Sequence, residues 1–326
     1  MRTFNWAILG LGHIAHKFAE SLVLLPNARL HAVASRSAAK AQAFAAHFGV
    51  PYALGSYEEL SAVPDLDVVY IATPHSEHQA HTLLCLRAGL PVLCEKAFAC
   101  NAHQAHDMIR VAQQQGVFLM EAFWTRFFPA IDQALELVAA GTIGEVKHLA
   151  ADFGFVAPYQ PEARLFNPAL AGGSLLDVGV YPLFISKLFL GEPQEIKAVA
   201  VPAGTGVDQN CAMVLAYASG ATASLFSTIA AQTNNQCILY GTKGQLQLTG
   251  RFHAASGLIL HLLGQEPQVI TCEKRGYGYH YEAQHVQECL HQGLRESPLL
   301  PLQFSLELMQ LLDSVRQQIG LRYPGE

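Results

Sequence analysis

Gly10-Leu11-Gly12-His13-Ile14-Ala15 follows the apolar run FNWAIL and opens a helical pattern, the place where a GxGxxA turn can cradle a dinucleotide pyrophosphate. Gly10 would permit the tight turn and Gly12 would let the backbone approach the phosphates. Ala15 allows close helix-strand packing, and the helix N-terminus, with His13 and Ile14 in its first turn, faces the negative charge. A glycine-rich turn that merely starts a helix is the alternative. Ser35-Arg36-Ser37 stands at the end of the second strand pattern. An acidic residue there would suit the ribose hydroxyls of NAD(H). A hydroxyl and a guanidinium suit a 2′-phosphate, which points to NADP(H) over NAD(H) unless Arg36 is only a solvated turn residue.

Cys94-Glu95-Lys96 closes a further strand pattern and puts a lysine at the edge where open α/β sheets bind ligands. The stretch GGSLLDVGVYP carries Asp177 and Tyr181. Their four-residue spacing shares one face if the segment is helical, although Gly179 and Pro182 argue against a regular helix. Alcohol oxidation needs a hydride acceptor and a base for the hydroxyl proton, and Tyr181 and Lys96 are the candidates for the second role. A free phenol titrates near 10, so a base poised near neutrality must be lowered by about 3 pH units, or about 4 kcal/mol. A neighbouring Lys96 would do this by stabilising phenolate, and Asp177 would orient the reacting group. A buried tyrosine with a structural hydrogen bond and an aspartate capping a helix is the competing reading. His75, His78 and His81 lie three apart, but such steps drift around a helix and no carboxylate or cysteine set completes a site, so no metal is expected.

The elements that must position these residues alternate regularly to about residue 121: FNWAILG, a helix near 13–25, RLHAVAS, a helix near 38–47, DVVYIATP, a helix near 77–88, PVLCEK, a helix near 102–115 and VFLMEA. That rhythm predicts a doubly wound parallel Rossmann sheet over residues 1–121, followed by an α/β domain over 122–326. After a helix near 130–140, the run from 145 to 272 holds many strand-like segments and little helix, which predicts a large, mostly antiparallel sheet; helices near 282–292 and 302–319 close the chain. Trp124, Arg126, Phe127 and Phe128 follow the last parallel strand, where they form either a wall for a small polyol or diol or interdomain packing. Arg164 precedes GGSLLD and either reaches cofactor or substrate or is a surface charge.

With 326 residues, two domains are expected. Only 14% of residues are charged and the net charge is -6, so no basic field suits nucleic acid. No apolar stretch reads as long enough for a bilayer, so no membrane partner is expected. Seven scattered cysteines without a CxxC pair speak for a reducing, cytoplasmic setting.

The chain resembles the Gfo/Idh/MocA oxidoreductases through GLGHIA, DLDVVYIATPHSEH, CEKAF, MEAFWTRFFPA and GGSLLDVGVYP, a match that runs nearly end to end. FWTRFFPA, the Tyr in place of His after DxGx, and the tail YHYEAQHVQECL…SPLLPLQFSLELMQLLD are most similar to the branch of dimeric dihydrodiol dehydrogenases, also described as NADP-dependent D-xylose 1-dehydrogenases. The resemblance implies Tyr181 as acid/base, Lys96 as its activator and Asp177 as positioning residue. It places Thr73, Pro74 and His78 along the cofactor with Glu95 and Lys96, and it implies a homodimer through the outer face of the C-terminal sheet. The usual EKP reads Glu95-Lys96-Ala97 here, which removes a backbone restraint beside Lys96. The implied activity is NADP-linked hydride transfer to or from a small hydroxylated substrate: an aldose, a polyol, a trans-dihydrodiol or the corresponding carbonyl. A non-catalytic NADP-binding regulator on the same scaffold would need only the cofactor half, and the retention of Lys96, Asp177 and Tyr181 favours the enzyme.

Overall fold

The computed structural model describes residues 2–324 and Glu326. In chain order the first elements are β1 (Phe4–Leu9), α1 (His13–Leu22), β2 (Ala28–Ala34), α2 (Ala38–Phe48), β3 (Tyr52–Leu54), β4 (Val68–Ile71), α3 (His78–Arg87), β5 (Val92–Glu95), α4 (Ala102–Gln115) and β6 (Leu119–Ala122). There follow α5 (Pro129–Ala139), β7 (Val146–Gly154), α6 (Val180–Leu190), β8 (Pro193–Pro202), β9 (Asp208–Tyr217), β10 (Thr222–Thr228), β11 (Cys237–Gly241), β12 (Gly244–Leu248), β13 (Gly257–Leu262), β14 (Gln268–Thr271), α7 (Tyr279–His291) and α8 (Leu302–Ile319).

Two compact units emerge: Met1–Trp124 with Arg275–Glu307, and Thr125–Lys274 with Leu308–Glu326. In the first, six parallel strands run in the order β3-β2-β1-β4-β5-β6, the doubly wound Rossmann arrangement that the alternating pattern predicts. Residues 68–71 and 92–95 are wholly buried because helices cover both faces of a parallel sheet, which is why these strands read as unbroken apolar runs. Local chemistry fixes the helix ends. The Ser37 hydroxyl accepts from Lys40 N to start α2, and Asn101 does the same for α4 from Gln104 N at 2.9 Å. Helix α1 stops at Leu22, earlier than the sequence pattern suggests, because Pro26 restricts the residue before it. The three-residue β3 is too short to show a period and has no counterpart among the predicted strands.

The second unit carries an eight-stranded sheet ordered β14-β13-β12-β11-β7-β10-β9-β8. Every neighbouring pair is antiparallel except β10 with β7, so the predicted large, mostly antiparallel sheet is present. Along β9, Cys211, Met213, Leu215 and Tyr217 are buried, while Val214 between them is exposed. This is the alternation of a sheet covered on one face. The cover is the helical run through α6, which packs against β7 and β10.

The expectation that no apolar stretch has the length to cross a bilayer needs correction. The segment Pro168–Leu190 is long and apolar enough to qualify by composition as a membrane span. Nearly all of it is buried within the protein, and positive φ at Ala171 and Gly173 interrupts it, so its apolar character reflects a core position on the sheet.

Candidate active site

In the first unit, Gly10 takes φ +91°, a conformation that L side chains rarely adopt. A Cβ built there would lie 2.6 Å from Thr73 Cγ2 and 3.0 Å from the Ala72 carbonyl carbon and oxygen. The turn between β1 and α1 therefore closes onto the end of β4 only because residue 10 is glycine. Gly12 is different: its φ is -81°, and its nearest foreign atom would be Ala72 O at 4.0 Å, so the space beside it is open. Gly12 caps α1 without a side-chain hydrogen bond, and no acidic residue occupies the first turn that begins with His13 and Ile14. The first N–H groups of α1 and the positive end of its dipole thus face that open space. The cradle fits a dinucleotide pyrophosphate.

At the end of β2, Ser35 is buried and its hydroxyl accepts from Ser37 N at 3.3 Å, while Arg36 is exposed. The Arg36 guanidinium sits beside the Tyr57 hydroxyl; burial raises the Tyr57 pKa and the nearby cation works against that rise. Thr73 Oγ1 lies 3.1 Å from His81 Nδ1, and the His81 ring meets Tyr57 edge-on at 4.5 Å. Burial lowers the His81 pKa and Arg36 adds to the fall. Tyr57 and His81 therefore join Arg36 at this end of the site, a grouping that sequence spacing does not show. Pro74 leads into the short turn His75–Glu77.

His78 is fully buried, and the carbonyls of Ala97 and Thr73 face its two ring nitrogens at 2.9 Å each. Burial drives its pKa down to about 4, so the ring is neutral and donates to one carbonyl. It ties the turn after β4 to the segment after β5. There Glu95 ends the strand, Lys96 N donates to Glu95 Oε2 at 3.1 Å, and the Lys96–Ala97 peptide is cis. Trp124 stacks on Tyr279 at 4.4 Å within the same unit.

In the second unit, Asp177 belongs to a π-helical turn, Leu175–Gly179, and Tyr181 to the first turn of α6. Pro182 cannot donate to the carbonyl four residues back and its ring crowds that carbonyl, and the backbone widens just before it. Gly179 is explained by packing: a Cβ there would come 2.8 Å from Ser227 Oγ on β10. The segment is helical despite the two residues that argued against it, because the sheet beneath holds it.

Arg164 Nη1 donates to Asp177 Oδ1 at 2.8 Å, joining two residues that sequence spacing leaves unconnected. Tyr181 is 5% exposed, its ring 5.3 Å from Phe153 and 5.3 Å from His253, and those two rings stack at 4.1 Å. Arg126 Nη1 donates to Asp132 Oδ1 at 2.6 Å with Phe127 buried beside it in sequence, while the Thr125 hydroxyl donates to the His253 carbonyl at 2.8 Å.

Two residues here are absent from the sequence-based candidates. His253 has no local signal. Asp208 opens β9 and lies under the π turn, where its Oδ2 accepts from Ser174 Oγ and Leu175 N, both at 2.7 Å. Burial pushes its carboxyl up to about 6, and those donors oppose the rise. Asp208 thereby anchors the start of the helical run that carries Asp177 and Tyr181.

Residues 4–123 match the oxidoreductase family with an NAD-binding Rossmann fold, and residues 131–247 match the GFO/IDH/MocA C-terminal domain. A trans-1,2-dihydrobenzene-1,2-diol dehydrogenase from Bos taurus is 40% identical over 332 aligned positions, covering 99% of this chain and 98% of the relative. Among solved structures, the aldose-aldose oxidoreductase from Caulobacter crescentus complexed with glycerol gives a TM-score of 0.88 at 27% identity, with 97% of each chain covered. The 3-ketoreductase KijD10 from Actinomadura kijaniata, in complex with NADP and TDP-benzene, gives 0.87 at 27% identity with 98% of each covered. Family matches in both halves, and a relative at this identity along almost the whole length, bear out what the motifs implied: the chain belongs to the Gfo/Idh/MocA oxidoreductase family.

Proposed function

We propose that this protein uses NADP(H) to oxidise a small hydroxylated substrate, an aldose, polyol or trans-dihydrodiol, or to reduce the corresponding carbonyl, with Tyr181 as acid/base assisted by Lys96. Its family and full-length dehydrogenase relatives make it an NAD(P)-dependent dehydrogenase acting on CH–OH groups. The proposal adds the cofactor form, the residues and the substrate class. A bound nicotinamide supplies the acceptor for the hydride that leaves the carbinol carbon. The Tyr181 oxygen takes the hydroxyl proton, Lys96 favours the phenolate that can do so, and Asp177, held by Arg164, orients the reacting group. Trp124, Arg126 and Phe127 are assigned to the substrate pocket, and Thr73, Pro74, His78 and Glu95 to the cofactor site.

The observation that carries the cofactor reading is the glycine cradle at the uncapped N-terminus of α1, with an arginine and no carboxylate at the end of β2. Replacing Arg36 by Ala is expected to weaken NADPH binding about 10- to 100-fold, the worth of charge-assisted hydrogen bonds to a phosphate, and to leave NADH binding nearly unchanged. Fluorescence titration of both nucleotides checks this, and an unaltered preference would remove the 2′-phosphate assignment. Turnover across a panel of aldoses, inositols, diols and dicarbonyls then tests the substrate class. Tight NADPH binding without turnover on any of them would favour the regulator.

The open face of the eight-stranded sheet supports a homodimer. Val199 and Val214, on the adjacent strands β8 and β9, are 72% and 56% exposed on that face, where a partner subunit would cover them. Val199→Lys with Val214→Lys is expected to shift the protein from dimer to monomer in sedimentation velocity. A wild-type protein that sediments as a monomer would end this assignment.

A further inference from the structure

At the carboxyl ends of β4, β5 and β6 the first unit buries three carboxyl groups near one another. Glu95 on β5 is 7% exposed, Glu121 on β6 1% and Glu282 on α7 0%. Tyr70 on β4, itself fully buried, donates its hydroxyl to Glu95 Oε1, and Lys96 N donates to Glu95 Oε2 at 3.1 Å. Hydrogen-bond donors thus converge on Glu95. Neither carboxyl oxygen of Glu282, nor of Glu121, has a hydrogen bond of normal geometry. Lys96 is the cation that faces Glu121, and Glu95, Cys94, the Ser305 hydroxyl and the Phe98 N–H face it as well. Glu95 and Tyr70 face Glu282, and Tyr279, on the same helix as Glu282, faces Tyr70.

An ionised carboxylate that has no hydrogen-bond donor and lies beside a second carboxylate in a dry interior carries a cost that proteins avoid by holding a proton. The donor pattern says where the charge and the proton go. Glu95, with both oxygens hydrogen-bonded, is the carboxylate; Glu282, with none, is the acid. Burial and the neighbouring Glu95 charge push the Glu282 pKa well above the usual carboxylate range, and burial raises Glu121 to about 7. The same charge, after burial, raises the Tyr70 phenol, so that proton stays in place.

This cluster occupies a particular side of the sheet. The glycine cradle lies at β1 and Arg36 at β2, so a dinucleotide with its adenosine ribose at Arg36 places its nicotinamide end across β1, over β4 and β5. We propose that Glu282 and Glu121, grouped around the Tyr70–Glu95 pair, hold a proton that passes to solvent when oxidised, cationic nicotinamide is bound and stays when the reduced, neutral form is bound. The proposal rests on the cofactor reading above. A cation arriving beside three clustered carboxyls favours their ionised forms, whereas a neutral ring does not. No bond other than O–H is broken, and the proton goes to bulk water. By linkage, affinity for the oxidised cofactor relative to the reduced one rises with pH, by up to about tenfold per pH unit for each proton released.

The test is isothermal titration calorimetry of the full chain with NADP+ and with NADPH near pH 7, each in buffers of contrasting ionisation enthalpy, which counts the protons exchanged on binding. The 2′-phosphate is common to both nucleotides and cancels in the difference. We expect NADP+ to release about half a proton or more beyond NADPH in the wild type, and this difference to shrink in Glu282→Gln and in Glu121→Gln. Each replacement substitutes a neutral side chain of the same shape for a group that is already partly or wholly neutral, and a melting curve verifies that it folds. Should Glu282→Gln fail to fold, Glu121→Gln decides alone. Equal proton counts for the two nucleotides, or a difference that survives both substitutions, would overturn the inference while leaving the cofactor reading intact. Absence of binding by either nucleotide would overturn both.

Discussion

Tyr181→Phe is expected to lower kcat about a hundred- to ten-thousand-fold, the usual worth of a positioned acid/base, with a much smaller change in KM. The variant retains the ring, so its packing against Phe153 and His253 persists and circular dichroism should match the wild type. Only the hydroxyl, assigned above as the proton acceptor, is removed. Under the proposed mechanism Lys96→Ala should produce a loss of similar size, since its ammonium is the group assigned to favour the phenolate. Lys96→Arg should restore part of it by keeping the charge at altered geometry. Steady-state kinetics on a substrate identified from the panel checks both. Folded variants that turn over like the wild type would exclude these two residues from the chemistry.

Gly10→Ala and Gly12→Ala should fail in different ways, and the contrast is the second large effect. At position 10 the new methyl meets the Ala72 backbone at 3.0 Å and the residue must hold φ +91°. Strain and overpacking together cost about 2–5 kcal/mol, which should lower the melting temperature and weaken NADPH binding by at least about 30-fold as the turn opens. At position 12 the backbone is ordinary and the methyl meets nothing nearer than 4.0 Å. Thermal stability should be nearly unchanged, yet the methyl enters the space before the first turn of α1 where phosphate oxygens would approach, and NADPH affinity should fall by a similar factor. A Gly12→Ala protein with normal affinity would show that this space is not the phosphate site.

The two glycines show how much a local pattern can reveal. Strand, GxGxxA and helix follow one another within a dozen residues, and the conformations involved are set by nearest neighbours, so the turn is legible in the amino-acid order alone. The same holds for α4, bounded by Asn101 and Gly116, and for α8, whose limits follow from the periodicity. Glu282 lies within reach of such reasoning as well. It falls on the apolar stripe of α7 with Tyr279, Ala283 and Val286, where a carboxylate signals something other than a solvated surface. Three-residue β3 and the exposed edge strand β14 carry no comparable signal.

What the sequence determined by itself was most of the order of elements, the Rossmann half and the family; among polar residues it offered Arg164 and Asp177 as candidates but not Asp208 or Glu282. Side-chain period and turn chemistry are properties of a few consecutive residues, and the chain cannot fold without satisfying them. The tertiary structure alone decided which of those residues meet. Arg164 pairs with Asp177 across 13 residues of chain, Asp208 caps the π turn from 33 residues beyond Leu175, and Glu282 arrives beside Glu95 from the other end of the protein. The parallel pairing of β10 with β7 and the helical state of GGSLLDVGVYP, despite Gly179 and Pro182, belong to the same class. Each depends on which strand lies beneath which helix, and a one-dimensional pattern fixes faces and turns but leaves the pairing of distant elements to the balance of packing in the folded chain.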